Sequence, residues 1–504
     1  MRRLITLATL AVAPLAFAQQ PAAKQPAPVT AAPTPKAAAP APKPKSIAKL
    51  PTVEMFELAN GLKVAVLASD AAPVVAVQVW YRAGSKDEPR NRRGSAHMFE
   101  HIMFKGTKHV RSEAHVQYLN GLGGSINAQT DEDATHYINT LPSDYMDFAV
   151  RLEADRMRNL MFRPDMITTE KEVVKEEIRQ QENSPLARGF LRFLEVAYTK
   201  HPYAWTAGGN IKDLDATTPE DLKKFYETYY QPNNALLVVV GKTTATAVKA
   251  SAEKWFGVIA KAPEPPRPAA QAQEPEQKAK RREVVEAGQI GLALIGWHIP
   301  PAKHKDIYSL QVASIILGAG ESSRLKIRLK AVDPKTKKPT ALDGGMESVV
   351  REDPGMVIAL GAFLDPTQVE GVETAIFEEV AKLTATGPTA AELRKAKNQV
   401  QSGFVFSLEN AQGLAQAIGR SWILTGDASM FMRDVDEIEK VTAADVTRVA
   451  KKYMTTENAT VVVIPPKGAP VPKAAPPKPT APKPAAPAPK PAAPAPAPAP
   501  KGGQ

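Results

Sequence analysis

Cysteine is absent from the 504 residues. No disulfide scaffold, thiolate metal ligand or thiol nucleophile is open to this chain, and any metal must be held by His, Asp or Glu. Aromatics are scarce, at 6%, so the core must be mostly aliphatic. Acid is missing from both ends: residues 1–50 carry seven Lys/Arg and residues 465–504 six Lys, with no Asp or Glu in either. Set against a net charge of +11, those thirteen cations leave −2 for residues 51–464. The pI of 9.4 therefore describes the ends, and a near-neutral middle argues against a nucleic-acid-binding core. The basic ends suit anionic envelope surfaces or plain solvation. After the N-terminal segment no run reaches 18 uninterrupted apolar residues, so no later stretch reads as membrane-spanning.

Proline is abundant but uneven. Of 46, residues 21–50 hold 8 and residues 465–504 hold 16. These Pro/Ala/Lys tracts have almost nothing apolar to bury and read as linker and tail. Ahead of the first lies a targeting pattern: Arg2-Arg3, an apolar run Leu4–Phe17, and the small-x-small site Ala16-Phe17-Ala18. The expectation is a periplasmic or secreted protein whose mature chain starts at Gln19.

Between the tracts, strand and helix patterns alternate. Asn60-Gly61 marks a hairpin, Val74–Tyr81 reads as a strand, Arg92–Phe104 as a helix, Val116–Leu122 as a short helix and Thr135–Leu141 as a strand. Two long helices come next, about Ser143–Met161 and Asp165–Glu182, then an apolar strand Ala235–Val240. Residues 260–283 are polar and Pro-rich with a basic run Lys278–Arg282, the clearest internal linker. The order then restarts with Ile290–Ile299, Asp306–Leu317, Met356–Leu364, Val369–Leu383, Ala390–Ser407 and Ala459–Ile464. This predicts an internal duplication. The expected organisation is a signal peptide 1–18, linker 19–50, N-terminal domain 51–260, linker 261–283, C-terminal domain 284–465 and tail 466–504.

One motif is sharp. Only eight histidines occur, and two stand at i and i+4 in His97-Met98-Phe99-Glu100-His101. On a helix both imidazoles sit on one face, where they can share one Zn²⁺. Glu100 lies on the same side, placed to take a proton from a metal-bound water. This order, H-x-x-E-H, inverts the commoner H-E-x-x-H. A third ligand is due from another element. Glu170, Glu172, Glu176, Glu177 and Glu182 crowd one predicted helix. Glu170 and Glu177, seven apart, share a face, with Val173 and Val174 between them.

Arg93-Gly94-Ser95-Ala96-HMFEH-Ile102-Met103-Phe104-Lys105-Gly106-Thr107 resembles the pitrilysin/insulinase family of zinc peptidases, in particular its two-domain processing-peptidase branch. Gly123–Ala128, Glu170–Glu177, His201-Pro202-Tyr203, Tyr229–Asn234 and Leu317–Leu325 come after it in the family's order. The resemblance implies an α+β fold of two homologous domains, each a mainly antiparallel sheet packed with helices, facing each other as a clamshell. It implies a zinc metalloendopeptidase in which His97, His101 and Glu177 bind Zn²⁺, Glu100 is the general base and Glu170 supports the site. Asn127 and Ala128 would lie on the edge strand that takes peptide substrate as an added β-strand. Arg328 would match a substrate-binding Arg. The family has a Tyr seven residues after that Arg; here Lys335 stands there, and no Tyr occurs between Tyr308 and Tyr453. Either Lys335 or Lys337 substitutes, or zinc suffices, or a related partner chain carrying the Arg/Tyr pair completes the site as a heterodimer. The missing Tyr also keeps open a non-catalytic homologue, acting as scaffold or peptide-binding partner subunit.

Overall fold

The computed structural model describes residues 52–332, 337–407 and 410–467. The expected leader and first linker, nearly all of the expected C-terminal tail and Lys335 lie outside the described residues.

Six strands form the first sheet: β1 (Glu54–Glu57), β2 (Lys63–Ala68), β3 (Val74–Tyr81), β4 (Ser125–Thr130), β5 (Thr135–Pro142) and β6 (Ala235–Gly241). Their order is β1-β2-β6-β3-β5-β4. Five more form the second: β7 (Arg281–Val284), β8 (Gly291–His298), β9 (Asp343–Val349), β10 (Met356–Phe363) and β11 (Ala459–Ile464), in the order β7-β11-β8-β10-β9. Setting β1 aside, the two orders are the same: first, fifth, second, fourth, third. In each sheet only the first–fifth pair is parallel, β2 with β6 and β7 with β11. The duplication inferred from sequence is thus written in the topology, and each unit is a mainly antiparallel sheet with helices.

Five helices of the first unit matter below: α1 (Ser95–Ile102), α2 (Ala114–Gly121), α3 (Met146–Asn159), α4 (Pro164–Glu182) and α5 (Pro185–Ala197). α1 is shorter than its apolar pattern suggests. Gly94 adopts φ +92°, which ends the preceding turn and cannot continue into a helix. The buried Glu88 carboxylate then accepts hydrogen bonds from the N–H groups of Gly94 (2.9 Å) and Ala96 (2.7 Å), satisfying donors that a helix start leaves open. The basic run at 278–282 is not wholly linker: its last two residues open β7. That strand is short and charged because it is a sheet edge, so no apolar alternation betrays it.

Each sheet packs its own helices on one face. The other face is covered by a helix of the opposite unit. α5 lays Phe193, Leu194 and Ala197 against Leu294, Met356, Ile358 and Val462 of the second sheet. The helix Ala411–Thr425 returns the exchange, setting Leu414, Ala415, Ile418 and Trp422 against Ala65, Ala76, Trp80, Leu236, Val238 and Val240. Both contacts are close enough to exclude a Cβ. One at Gly296 would meet Phe193 at 2.4 Å, and one at Gly419 would meet Trp80 at 2.1 Å.

A buried ionic cluster pins the units together beside these helices. Lys86 Nζ reaches Asp133 (2.7 Å) of the first unit and Glu352 (2.7 Å) and Asp353 (3.3 Å) of the second. Arg351 pairs with Glu132, and Asp353 also receives His201 at 3.5 Å. Among the described residues no helix is long and apolar enough to cross a membrane.

Candidate metal centre

α1 turns Met98, Phe99 and Ile102 into the core, where all three are fully buried. The i, i+3, i+4 positions left over are His97, Glu100 and His101. α4 packs against α1. Its inner stripe is Met166, Ile167, Glu170, Val174 and Ile178, with Glu177 half-buried beside it. Val173, grouped with that stripe from the sequence, is 42% exposed. It stands about 100° from Val174 around the helix, enough to carry it out of the contact.

The two helices bring His97, His101 and Glu177 together, with one ligand atom from each lying within 4.8 Å of the other two. Glu177 Oε2 is 3.6 Å from Nε2 of His97 and 3.6 Å from Nε2 of His101. The imidazoles meet edge to face, centroids 5.1 Å apart. Donors around a tetrahedral zinc at about 2.0–2.1 Å lie roughly 3.4 Å from one another, so this set fits the ion with little movement. Among the described residues it is the one cluster of at least three such groups.

Glu170 stands behind His101, its Oε2 at 3.4 Å from Nδ1. A carboxylate on the far nitrogen fixes ring orientation and leaves Nε2 free to ligate. Lys105 Nζ holds the other oxygen of Glu170 at 3.0 Å and also reaches Glu113 at 2.6 Å. Lys105 was not singled out from the sequence; it lies past the end of α1, and its place beside Glu170 is set by the turn that follows the helix.

Electrostatics matches the donor set. Burial, reinforced by His101, lowers His97 to about 4, so it is neutral and able to ligate at pH 7. Burial also works downward on His101, but hydrogen bonds to Glu170 and Glu177 outweigh it and hold it at about 9. For Glu177 burial is upward, and His101 overrides it to keep the carboxyl below its ordinary range. Without a metal, a proton on His101 thus sits where a cation would. Burial lifts Glu100 to about 7. Its Oε2 is buried with no hydrogen-bond partner, and so is Nδ1 of His97, a cost that a structure carries where a ligand or water belongs.

β4 ends the first sheet and, among the described residues, pairs only with β5, with no strand along its other edge. Asn127, exposed, and Ala128, buried, lie mid-strand opposite Ile138 and Tyr137, and β4 runs beside α1. Arg328 is not brought to this cluster. It lies on the short helix Arg324–Lys330 of the second unit, paired with Glu378 (3.1 Å) and near Thr340 (3.4 Å). Lys337, described at φ +57°, belongs to the same unit.

Residues 63–207 match the family described as insulinase, peptidase family M16, and residues 216–400 match the peptidase M16 inactive domain. A zinc protease of Helicobacter pylori, PqqE, is 31% identical over 421 residues, covering 83% of this chain and 94% of that protein. The mitochondrial-processing peptidase subunit beta of Lentinula edodes is 24% identical over 422 residues, covering 80% and 88%. A crystal structure of a Helicobacter pylori protease superposes with a TM-score of 0.78 at 30% identity, covering 83% of this chain and all of that one. A His/His/Glu cluster able to hold a metal, built from an H-x-x-E-H helix and its neighbour, two units of one topology and family matches through both of them lead to one assignment: the chain belongs to the M16, or pitrilysin/insulinase, family of peptidases.

Proposed function

We propose that this chain is an exported zinc-dependent endopeptidase acting on unfolded or extended peptides. The observation that carries the reading is the convergence of His97, His101 and Glu177 beside a buried Glu100. Bound Zn²⁺ would supply Lewis acidity, polarising a carbonyl and making water nucleophilic near neutral pH. The chain's own residues do the rest. Glu100 takes the proton from the attacking water and passes it to the leaving amine. Glu170, held by Lys105, keeps His101 oriented. The open edge of β4, with Asn127 and Ala128, would align an extended peptide through main-chain hydrogen bonds. The catalytic unit is residues 51–260, joined by residues 261–283 to the unit 284–465. Periplasmic or secreted location follows from the leader pattern. The Pro/Ala/Lys ends would contact anionic envelope surfaces.

A second reading is favoured by one observation. The second unit lacks the Tyr, and Arg328 is engaged by Glu378 rather than facing the metal ligands. Removing a donor to the developing oxyanion typically costs about 10²–10³ in rate. A related chain carrying the Arg/Tyr pair would restore it, and a relative of this chain is itself named a subunit. In the limit the chain would be a peptide-binding partner with no turnover of its own.

The deciding experiment loads the purified chain with zinc and follows cleavage of unfolded peptides, alone and with a related chain. Glu100→Gln should retain zinc and lose hydrolysis. Equal turnover in that variant would remove Glu100 as base, and absence of zinc binding would remove the enzyme reading altogether.

A further inference from the structure

A cavity of about 450 Å³ opens between the segment that follows α1, the start of α2 and the segment after α3. Val110 and Met161 give it an apolar floor; Ser112 and Gln117 add polar groups. Three cations line it, Lys105, Arg111 and Arg163. Lys105 is committed to Glu113 and Glu170. Arg111 and Arg163 are exposed and have no acidic partner among the described residues. Several other arginines of this unit are paired with an acid, Arg92 with Asp221, Arg93 with Asp213, Arg156 with Glu153 and Arg179 with Glu176, whereas Arg151 and Arg158, like the cavity's pair, are not. Two unpaired guanidinium groups at one concavity, with nothing anionic lining it, make a ready site for a carboxylate, which the planar fork binds with two hydrogen bonds.

Position ties the cavity to the substrate path. α2 leads directly into β4 through Gly123 and Gly124, and Gln117 of α2 lines the cavity. Lys105, at its inner wall, is joined to His101 through Glu170, whose oxygens lie 3.0 Å from Lys105 Nζ and 3.4 Å from His101 Nδ1. The cavity thus adjoins the metal-ligand cluster on one side and, through α2, which packs on β4, the strand edge proposed for the peptide on the other.

We infer that this cavity is a subsite for an acidic side chain, and that Arg111 and Arg163 give the chain a preference for peptides with Asp or Glu two to three residues from the cleaved bond. The inference rests on the peptidase reading for where the peptide lies, but binding alone tests it. Zinc-loaded full chain carrying Glu100→Gln is titrated by fluorescence anisotropy with extended peptides that differ only in Asp or Asn at each position within three residues of the centre. At one of those positions Asp should bind about tenfold more tightly than Asn, the size of a charge-assisted hydrogen-bonded contact. Adding Arg111→Ala and Arg163→Ala should bring the ratio near one. Removing two cations elsewhere on the unit, Lys212→Ala with Lys224→Ala, should leave the ratio intact. With Glu100 restored, the same preference should be read in KM. No Asp preference at any position, a preference that survives loss of both arginines, or equal loss in the lysine control would overturn the subsite. A clear binding preference without cleavage would leave the subsite standing and sink the hydrolase reading instead.

Discussion

Replacing Lys86 by Met tests how much the buried ionic cluster holds the two units together. Its side chain is 5% exposed and that of Asp133 3%. Methionine keeps the stem and deletes the charge, leaving Asp133, Glu352 and Asp353 without their shared cation. Breaking a buried pair from one side costs about 3–5 kcal/mol, because an uncompensated charge stays behind. The pH dependence gives a second, independent handle. Burial works to raise Asp133, but Lys86 and Arg351 outweigh it and hold the carboxyl at about 2, against an ordinary value near 3.8. A depressed carboxylate stabilises the fold above its unfolded pKa, and that contribution disappears as pH falls through the folded pKa. At about 1.4 kcal/mol per unit the shift represents roughly 2–3 kcal/mol of the total. The variant should therefore be some 3–5 kcal/mol less stable at pH 7 in urea titration, with the gap to the parent narrowing between about pH 4 and pH 2. A loss below about 1 kcal/mol at pH 7, or a gap constant across that window, would mean the cluster is neutral to stability and the apolar exchange of helices alone joins the units.

Three further outcomes rest on the geometry. Glu100 must be ionised to act, burial sets it at about 7 without a metal, and a neighbouring cation can only lower that value. Activity should therefore fall on acidification with its limb at or below about pH 7, and a limb above about pH 8 would assign it to another group. Glu177→Ala leaves two of the three proposed ligands and should yield protein that loses zinc on dialysis, measured as metal per chain, whereas full retention would move the third ligand elsewhere. Gly419→Ala puts a Cβ at 2.1 Å from the Trp80 indole, an overpacking worth about 1–3 kcal/mol that alanine's better helix propensity offsets by up to about 1. An unchanged urea midpoint would show that the helix Ala411–Thr425 can shift outward at no cost.

Much of the centre was readable because its signals are local. The i, i+4 histidines lie on one short helix, and Glu170 and Glu177 lie two turns apart on another. The strands Val74–Tyr81 and Ala459–Ile464 were legible from apolar runs alone, since each is interior to its sheet. What escaped was set by distant partners. β7 is four residues of charge and valine whose strand state comes from pairing with β11, some 180 residues later. α5 carries an apolar stripe, yet nothing in Phe190, Phe193 or Leu194 says that their counterpart is the opposite sheet. Lys86 sits 266 residues from Glu352, so their pairing leaves no trace in spacing. Val173 was misassigned because a seven-residue period fixes the face of Glu170 and Glu177 but not which valine between them shares it.

The reciprocal helix exchange bears on the order in which the chain can acquire its structure. The first sheet is complete in sequence once Gly241 has emerged, but the helix that covers Trp80, Leu236 and Val238 ends only at Thr425. α5, conversely, is made long before β8, β10 and β11 exist to receive Phe193. During vectorial emergence from the ribosome, the first unit must therefore wait with one apolar face of its sheet bare. Such a face is a template for aggregation. The two units consequently have to reach the native state in one concerted step, and a chain severed between residues 261 and 280 should recover structure only when both fragments are present together.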